Sequence, residues 1–421
     1  MYLPSLLPLL TLATSALAFN RPLSTSGRWI TDATRTPVTV VGTNWPGHLE
    51  PMIPEGLQYQ SYKTIIARIK SLGMNTVRLT FAIQMVDEIF ERNGTDVSLR
   101  ETLVNALGQA NGTKVLESVL KSNKDFSAEM PRLEVWRKVA AEMGRQQVAL
   151  HLDNHVSKAQ WCCGAHDGNS WFGDVYFDVE KWKRGLAYLA AKAPEWPSLV
   201  SIGMRNELRQ STVSPVPLPY DFEDWYKHMT AAASAIHAAS PDVLIYFSGL
   251  NYSETLAPLP LGTPLSTTND SLIFRASDFP WANKAVMEIH VYTMSDRINT
   301  TNCHEMKKAL YANGFNALDT MNPEVVYPMP VVMSEFGFSM NDDVWKGVYA
   351  QCLKEFLPER RAGWMNWAVA GSYYVRSGGV DVDDTWGLMS HDWSAWRSDS
   401  TVGEYLKPFV RETLAGKGAC T

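Results

Sequence analysis

Eight short apolar runs, most of them separated by stretches of helical periodicity, constrain this 421-residue chain more than any single motif. They fall at residues 38–44, 75–80, 147–153, the start of 200–209, 243–247, 285–292, 331–337 and 363–369. Helical patterns occupy residues 62–72, 133–143, 181–193, 222–239, 305–313, 344–355 and 401–413. Strands alternating with helices in this way predict an α/β fold, a single (β/α)8 TIM barrel over residues 19–421. No linker, repeat or low-complexity segment starts a second domain. Long βα insertions at 84–131, 156–177 and 251–283 are expected to wall the barrel mouth.

Two of these runs end in carboxylates. The run beginning Val200-Ser-Ile-Gly breaks at Asn206-Glu207, and Val331-Val-Met-Ser delivers Glu335. In a parallel barrel all strand C-termini open on one face, so the two side chains can converge there. Two convergent carboxyl groups suit glycoside hydrolysis, in which one acid protonates the leaving oxygen while a carboxylate roughly 5–5.5 Å away attacks carbon. The acid then needs a raised pKa, and the attacking group needs partners that keep it ionised. Other strand ends offer such partners. Arg78 and Tyr292 can donate to Glu335 and hold its pKa low. His290 can reach the acid, Asn206 can hold the sugar hydroxyl beside the reacting carbon, and Trp367 offers a flat floor for a pyranose.

Composition narrows the setting. A net charge of −6 and the lack of a basic run give no support to nucleic-acid binding. The 15 tryptophans suit sugar platforms, and equally a large core. Residues 3–18 are apolar, with Ala16 and Ala18 before Phe19, and predict a signal peptide at 1–18 and a secreted chain. No later run is long enough to span a membrane. Sequons at Asn93, Asn111, Asn251, Asn269 and Asn299 fit that compartment. Five cysteines leave one unpaired, or paired outside the molecule. Cys303 with Cys352 is the expected bridge, and an adjacent Cys162–Cys163 bridge, though strained, is the other candidate, in a structural role.

Together Arg78, Asp153-Asn-His155, Asn206-Glu207, His290-Val-Tyr292, Glu335 and Trp367 resemble, in order and in strand position, glycoside hydrolase family 5, a retaining barrel family of clan A. The resemblance runs from about residue 40 to 396. Leu152-Asp-Asn-His-Val-Ser-Lys158, Trp161-Cys-Cys163, Arg205-Asn-Glu-Leu-Arg209 and Ala370-Gly-Ser-Tyr-Tyr374 look like a plant and fungal branch of cellulase-like proteins. It implies Glu207 as acid/base, Glu335 as nucleophile, and His155 as a hydrogen-bond donor in the sugar site. One departure is Leu208, where the common cellulases carry Asn-Glu-Pro, and it weakens the transfer of cellulose specificity.

These readings predict a secreted, monomeric retaining β-glycosidase acting on a carbohydrate or glycoside. An endo-β-1,4-glucanase-like activity stands first and an exo-acting β-glycosidase second. A catalytically dead carbohydrate-binding barrel is a third reading. A metal-dependent hydrolase using His151 and His155, four apart on one strand face, is a fourth. No third and fourth ligand accompanies those histidines, so no metal or cofactor is expected. Trp45, His48, Trp161 and Trp171 are further candidates for flanking sugar contacts.

Overall fold

The computed structural model describes residues 19–416. The expected signal peptide and Cys420 lie outside the described residues. Eight parallel strands close into a barrel in chain order: β1 (Val41–Trp45), β2 (Thr76–Ala82), β3 (Ala149–Val156), β4 (Leu199–Gly203), β5 (Leu244–Ser248), β6 (Ala285–His290), β7 (Val331–Glu335) and β8 (Gly363–Asn366). Closure runs through β8 and β1, where Trp364 pairs with Val41 and Asn366 with Thr43. Gly42 is required on β1, because a Cβ there would sit 2.0 Å from the Thr76 carbonyl oxygen.

The first apolar run divides. Pro37–Val38 joins Ser24–Ser26 and Trp29–Thr31 in a three-stranded antiparallel sheet, and the barrel strand begins only at Val41. Pro37 is exposed and Val38 half-buried, whereas Val41–Trp45 is buried throughout, yet the apolar run continues from one to the other, so pattern alone cannot place the break. This small sheet stoppers the N-terminal end of the barrel. Phe19, Leu23, Ile30 and Val40 pack there against Ala149, Val200, Leu244, Val286 and Val332.

Helices cover the outside: α1 (Tyr62–Ser71), α2 (Gln84–Glu91), α3 (Leu99–Ser122), α4 (Arg132–Arg145), α5 (Val179–Ala190), α6 (Phe222–Ala239), α7 (Cys303–Ala312), α8 (Val348–Arg360) and α9 (Lys407–Leu414). Their starts follow from capping chemistry. Ser61, Ser98, Asp178, Asp221 and Asn302 each accept from a backbone N–H of the first turn. The pattern at 344–355 proves to be a 3-10 turn, Val344–Lys346, followed by α8. A π-turn over Thr401–Leu406 leads into α9. Cys303 on α7 is bonded to Cys352 on α8, as expected.

The 84–131 insertion is helical and braces the loop after β1. Thr102 Oγ1 donates to the Pro51 carbonyl at 2.6 Å, and Asn123 Nδ2 to that of Leu57 at 2.9 Å. Tryptophan richness is mostly core: Trp45, Trp136, Trp171, Trp182, Trp196, Trp225, Trp281, Trp364 and Trp393 are fully buried. Several pin loops through the indole N–H, as Trp182 does to Met204 O and Trp225 to Ser248 O, both at 2.8 Å. Four of the sequon asparagines are exposed, whereas Asn251 is half-buried and accepts from Tyr220 Oη. After β8 the chain forms a hairpin, β9 (Ser372–Arg376) and β10 (Gly379–Asp383), turning on Ser377 and Gly378, both at positive φ.

Candidate active site

A cavity of about 860 Å³ opens at the C-terminal end of the barrel. His155, Asn206, Glu207, His290, Tyr292, Glu335 and Trp367 all line it. Arg78 lies beneath them, fully buried. The walls differ from expectation. Trp161, Cys162 and Cys163 come from the β3 loop, but the 251–283 insertion contributes only Tyr252 and Glu254, and 84–131 contributes nothing. That last segment is occupied in supporting the β1 loop. In its place the loop after β6 supplies Met294 and Arg297, and the region after β8 supplies Arg376, Asp384 and Trp386. Of the four flanking candidates only Trp161 reaches the cavity, since Trp45, His48 and Trp171 are fully buried away from it.

Glu207 sits just beyond β4 with φ at +44°, a left-handed conformation that costs a non-glycine residue on the order of 1–3 kcal/mol. The turn is held by Glu207 N–H donating to Ser253 Oγ at 3.2 Å and by Arg209 Nη1 donating to the Glu207 carbonyl at 2.8 Å. Arg209 also pairs with Asp167 and donates to the Gly164 carbonyl, tying the β3 loop to the end of β4. The Glu207 carboxyl meets His290 Nδ1 at 3.1 Å and, among the described residues, has no lysine or arginine in direct contact. Burial pushes its pKa up to about 7, against the pull of Arg209 and Arg78.

Glu335 ends β7 in a different environment. Arg78 Nη1 donates to Oε1 at 2.5 Å and Tyr292 Oη to Oε2 at 2.8 Å. The expectation that these donors hold its pKa low is not met. Burial outweighs the pull of His290 and Arg78, and the pKa lies above the usual carboxylate value. One oxygen from each of Glu207 and Glu335, with a ring nitrogen of His290, lie within 4.8 Å of one another.

Arg78 is the hub under the site. Besides Glu335 it donates to Asn44 Oδ1 at 2.8 Å, Asp153 Oδ1 at 2.7 Å and Asn206 Oδ1 at 2.8 Å, so it orients four side chains from four strand ends. The Asp153 carboxyl is pushed up to about 6 by burial, opposed by Arg78. His155 Nδ1 contacts Asp153 Oδ2 at 2.7 Å, and burial beside Arg78 keeps the imidazole neutral. Its one proton then goes to Asp153, which leaves Nε2 as an acceptor 3.4 Å from Asn206 Nδ2. The same ring stacks on Trp367 at 5.4 Å, which fixes the indole. Asn206 Nδ2 points towards Cys163 Sγ at 3.4 Å, on the Cys162–Cys163 bridge.

The two histidines of the metal reading separate. His151 groups with Asp153 and Glu288 deep in the barrel, whereas His155 groups with sulfurs that are joined to each other. They do not converge on one cation position.

The family model for cellulase (glycosyl hydrolase family 5) matches residues 31–372. A glycosyl hydrolase 5 family protein from Chamaecyparis obtusa is 33% identical over 421 residues, 97% of this chain and 70% of that protein. Among solved structures, an endocellulase from the archaeon Pyrococcus horikoshii superposes with a TM-score of 0.66 at 16% identity, covering 94% of this chain and all of that one. The catalytic domain of the major endoglucanase from Xanthomonas campestris pv. campestris gives 0.65 at 18% identity, over 93% and 99% of the two chains. A β-glucanase from Saccharophagus degradans gives 0.60 at 14%, over 99% and 98%. At such identities these structures bear on the fold alone. With the family match and the Chamaecyparis obtusa relative, the barrel and its two strand-end glutamates lead to one conclusion: the chain belongs to glycosyl hydrolase family 5, a retaining clan A family, and is a glycoside hydrolase.

Proposed function

We propose that this chain is a secreted retaining β-glycoside hydrolase, with Glu335 as nucleophile and Glu207 as acid/base. The observation that carries the reading is the unequal setting of two carboxyl groups whose oxygens approach within 4.8 Å. That spacing suits double displacement, because inverting enzymes need roughly 6.5–9.5 Å to admit a water. Glu335 has a cation and a phenol in direct contact, which favours the ionised form. Glu207 has neither and stays protonated to about pH 7. Glu335 attacks the anomeric carbon while Glu207 gives its proton to the leaving oxygen. Glu207, now ionised, takes a proton from the water that releases the sugar from Glu335. Asn206 holds the hydroxyl beside the reacting carbon, and Trp367 floors the ring. The N-terminal apolar stretch and the exposed sequons support secretion.

For substrate, the family and the cellulase-like motifs favour an endo-acting β-1,4-glucanase. One relative of the same fold, the Pyrococcus horikoshii endocellulase, has been solved with cellotetraose. A second reading, exo-action on an oligosaccharide, glycolipid or aryl glycoside, has its own observation. The Arg376 guanidinium lies 3.8 Å from the Trp161 ring centroid, so the β3 loop and the hairpin after β8 meet at the cavity wall. Products from cello-oligosaccharides decide between them. Early internal cleavage to short oligomers is expected for the first reading, and single sugars from the outset for the second. Products of inverted configuration would overturn the mechanism itself.

A further inference from the structure

Glu288 is a fully buried carboxylate that the double displacement does not use. It lies on β6, two residues before His290. Its Oε2 accepts from Ser334 Oγ at 2.8 Å, and its Oε1 has no hydrogen-bond partner among the described residues. Ser334 Oγ in turn lies 2.9 Å from His290 Nε2, and His290 Nδ1 lies 3.1 Å from Glu207 Oε1. Four groups on three strand ends thus form one unbranched chain from the barrel interior to the cavity.

The directions in this chain are not independent. A serine hydroxyl has one proton, so when Ser334 donates to Glu288 its oxygen can only accept from His290. A neutral imidazole also has one proton, so it then resides on Nε2 and leaves Nδ1 as an acceptor. An acceptor at Nδ1 matches a Glu207 carboxyl that carries its proton. Burial keeps His290 neutral, as the chain requires.

We propose that Glu288, through Ser334, fixes the tautomer of His290 and so holds the proton on Glu207 for delivery to the leaving group. Glu288 is a positioning residue that never touches the sugar. The inference rests on Glu207 being the acid/base. Other charged groups act on both ends. Glu207 faces Arg209, Arg78, Asp153, Asp167, Glu254, Tyr292 and Glu335, while Glu288 faces Arg78, His151, Asp153 and Tyr246. None of these supplies the directional link through His290.

The test compares Ser334→Ala, Ser334→Thr and Glu288→Gln with wild type, on aryl β-glycosides that span good and poor leaving groups. The alkaline limb of kcat/KM in Ser334→Ala and Glu288→Gln is expected to move down by about one pH unit, a tenfold change in proton affinity. Turnover of poor leaving groups should fall accordingly, while a dinitrophenyl glycoside, which needs no proton, is cleaved at close to the wild-type rate. Ser334→Thr keeps the hydroxyl and should restore the profile. Equal slowing of all leaving groups with an unmoved alkaline limb would mean packing alone, and the proposal would be wrong. Glu207→Ala run beside them tests the underlying reading: leaving-group independence there overturns the acid/base role, whatever Ser334 shows.

Discussion

The two ends of one barrel are built to opposite rules. At the N-terminal end the strands turn Ala149, Val200, Leu244, Val286 and Val332 inward, against apolar side chains of the stoppering sheet. A few residues further along the barrel axis, the interior holds Arg78, His151, Asp153, Glu288 and Glu335. Burying apolar groups stabilises, at roughly 25 cal/mol per Å². Burying several carboxyl groups around one guanidinium does not, unless every partner is in place. The lower end therefore holds the fold together, and the upper end keeps charge where it can act on a substrate.

The sharpest way to break this contrast is Glu335→Gln, nearly isosteric and deep in the charged layer. Turnover should fall by at least about 10⁴-fold, the scale seen when a nucleophile is removed, with thermal unfolding unchanged or raised. Retained activity on the true substrate would remove the contrast together with the mechanism. Leu244→Ala is the mirror experiment. It should cost about 2–5 kcal/mol in denaturant unfolding and leave kcat/KM near wild type. A matching fall in activity would show that the two layers are coupled.

Glu207→Gln sharpens the comparison through pH. The folded chain holds the Glu207 proton to about pH 7, whereas the unfolded chain releases it near its ordinary value of 4.5. The neutral acid thus favours the folded state below pH 4.5, and that contribution disappears as pH rises to about 7, a loss of about 3 kcal/mol. The glutamine variant should match wild type at about pH 4 and be the more stable at about pH 8. Equal stabilities at both pH values would mean that Glu207 titrates normally. Tyr292→Phe is the smallest change. Losing one hydrogen bond to a carboxylate, worth about 1.5–3 kcal/mol, should raise the Glu335 pKa further and move the acid limb of kcat/KM upward. An unmoved acid limb would count against Glu335 as the ionised partner.

The charged end was also the more legible in sequence. Glutamates and their polar partners interrupt apolar runs at strand ends, and such interruptions are visible without a structure. Seven of those side chains reached the cavity, and the eighth, Arg78, lies beneath it. The lower end was hidden, because Pro37–Val38 runs into the buried Val41–Trp45 without a break and the two read as one strand. The cavity walls were misplaced for another reason. Length marked 84–131 as a wall, yet it braces the β1 loop through Thr102 and Asn123. The hairpin that does contribute, with Arg376 on β9, is marked in the sequence by Ser377-Gly378-Gly379, a turn signal that does not say where the hairpin packs. Tryptophan count could not separate platforms from core, and the Glu335 pKa turned on how deeply a nearby arginine and carboxylate are buried together.

The stoppering sheet has a practical corollary for anyone handling the enzyme. Phe19 is anchored at the barrel floor, at the opposite pole from the cavity. A surface, bead or second protein attached ahead of that residue would leave the mouth facing outward, open to a long or insoluble substrate. Immobilisation through the amino end is thus the orientation in which a tethered enzyme should work as it does free.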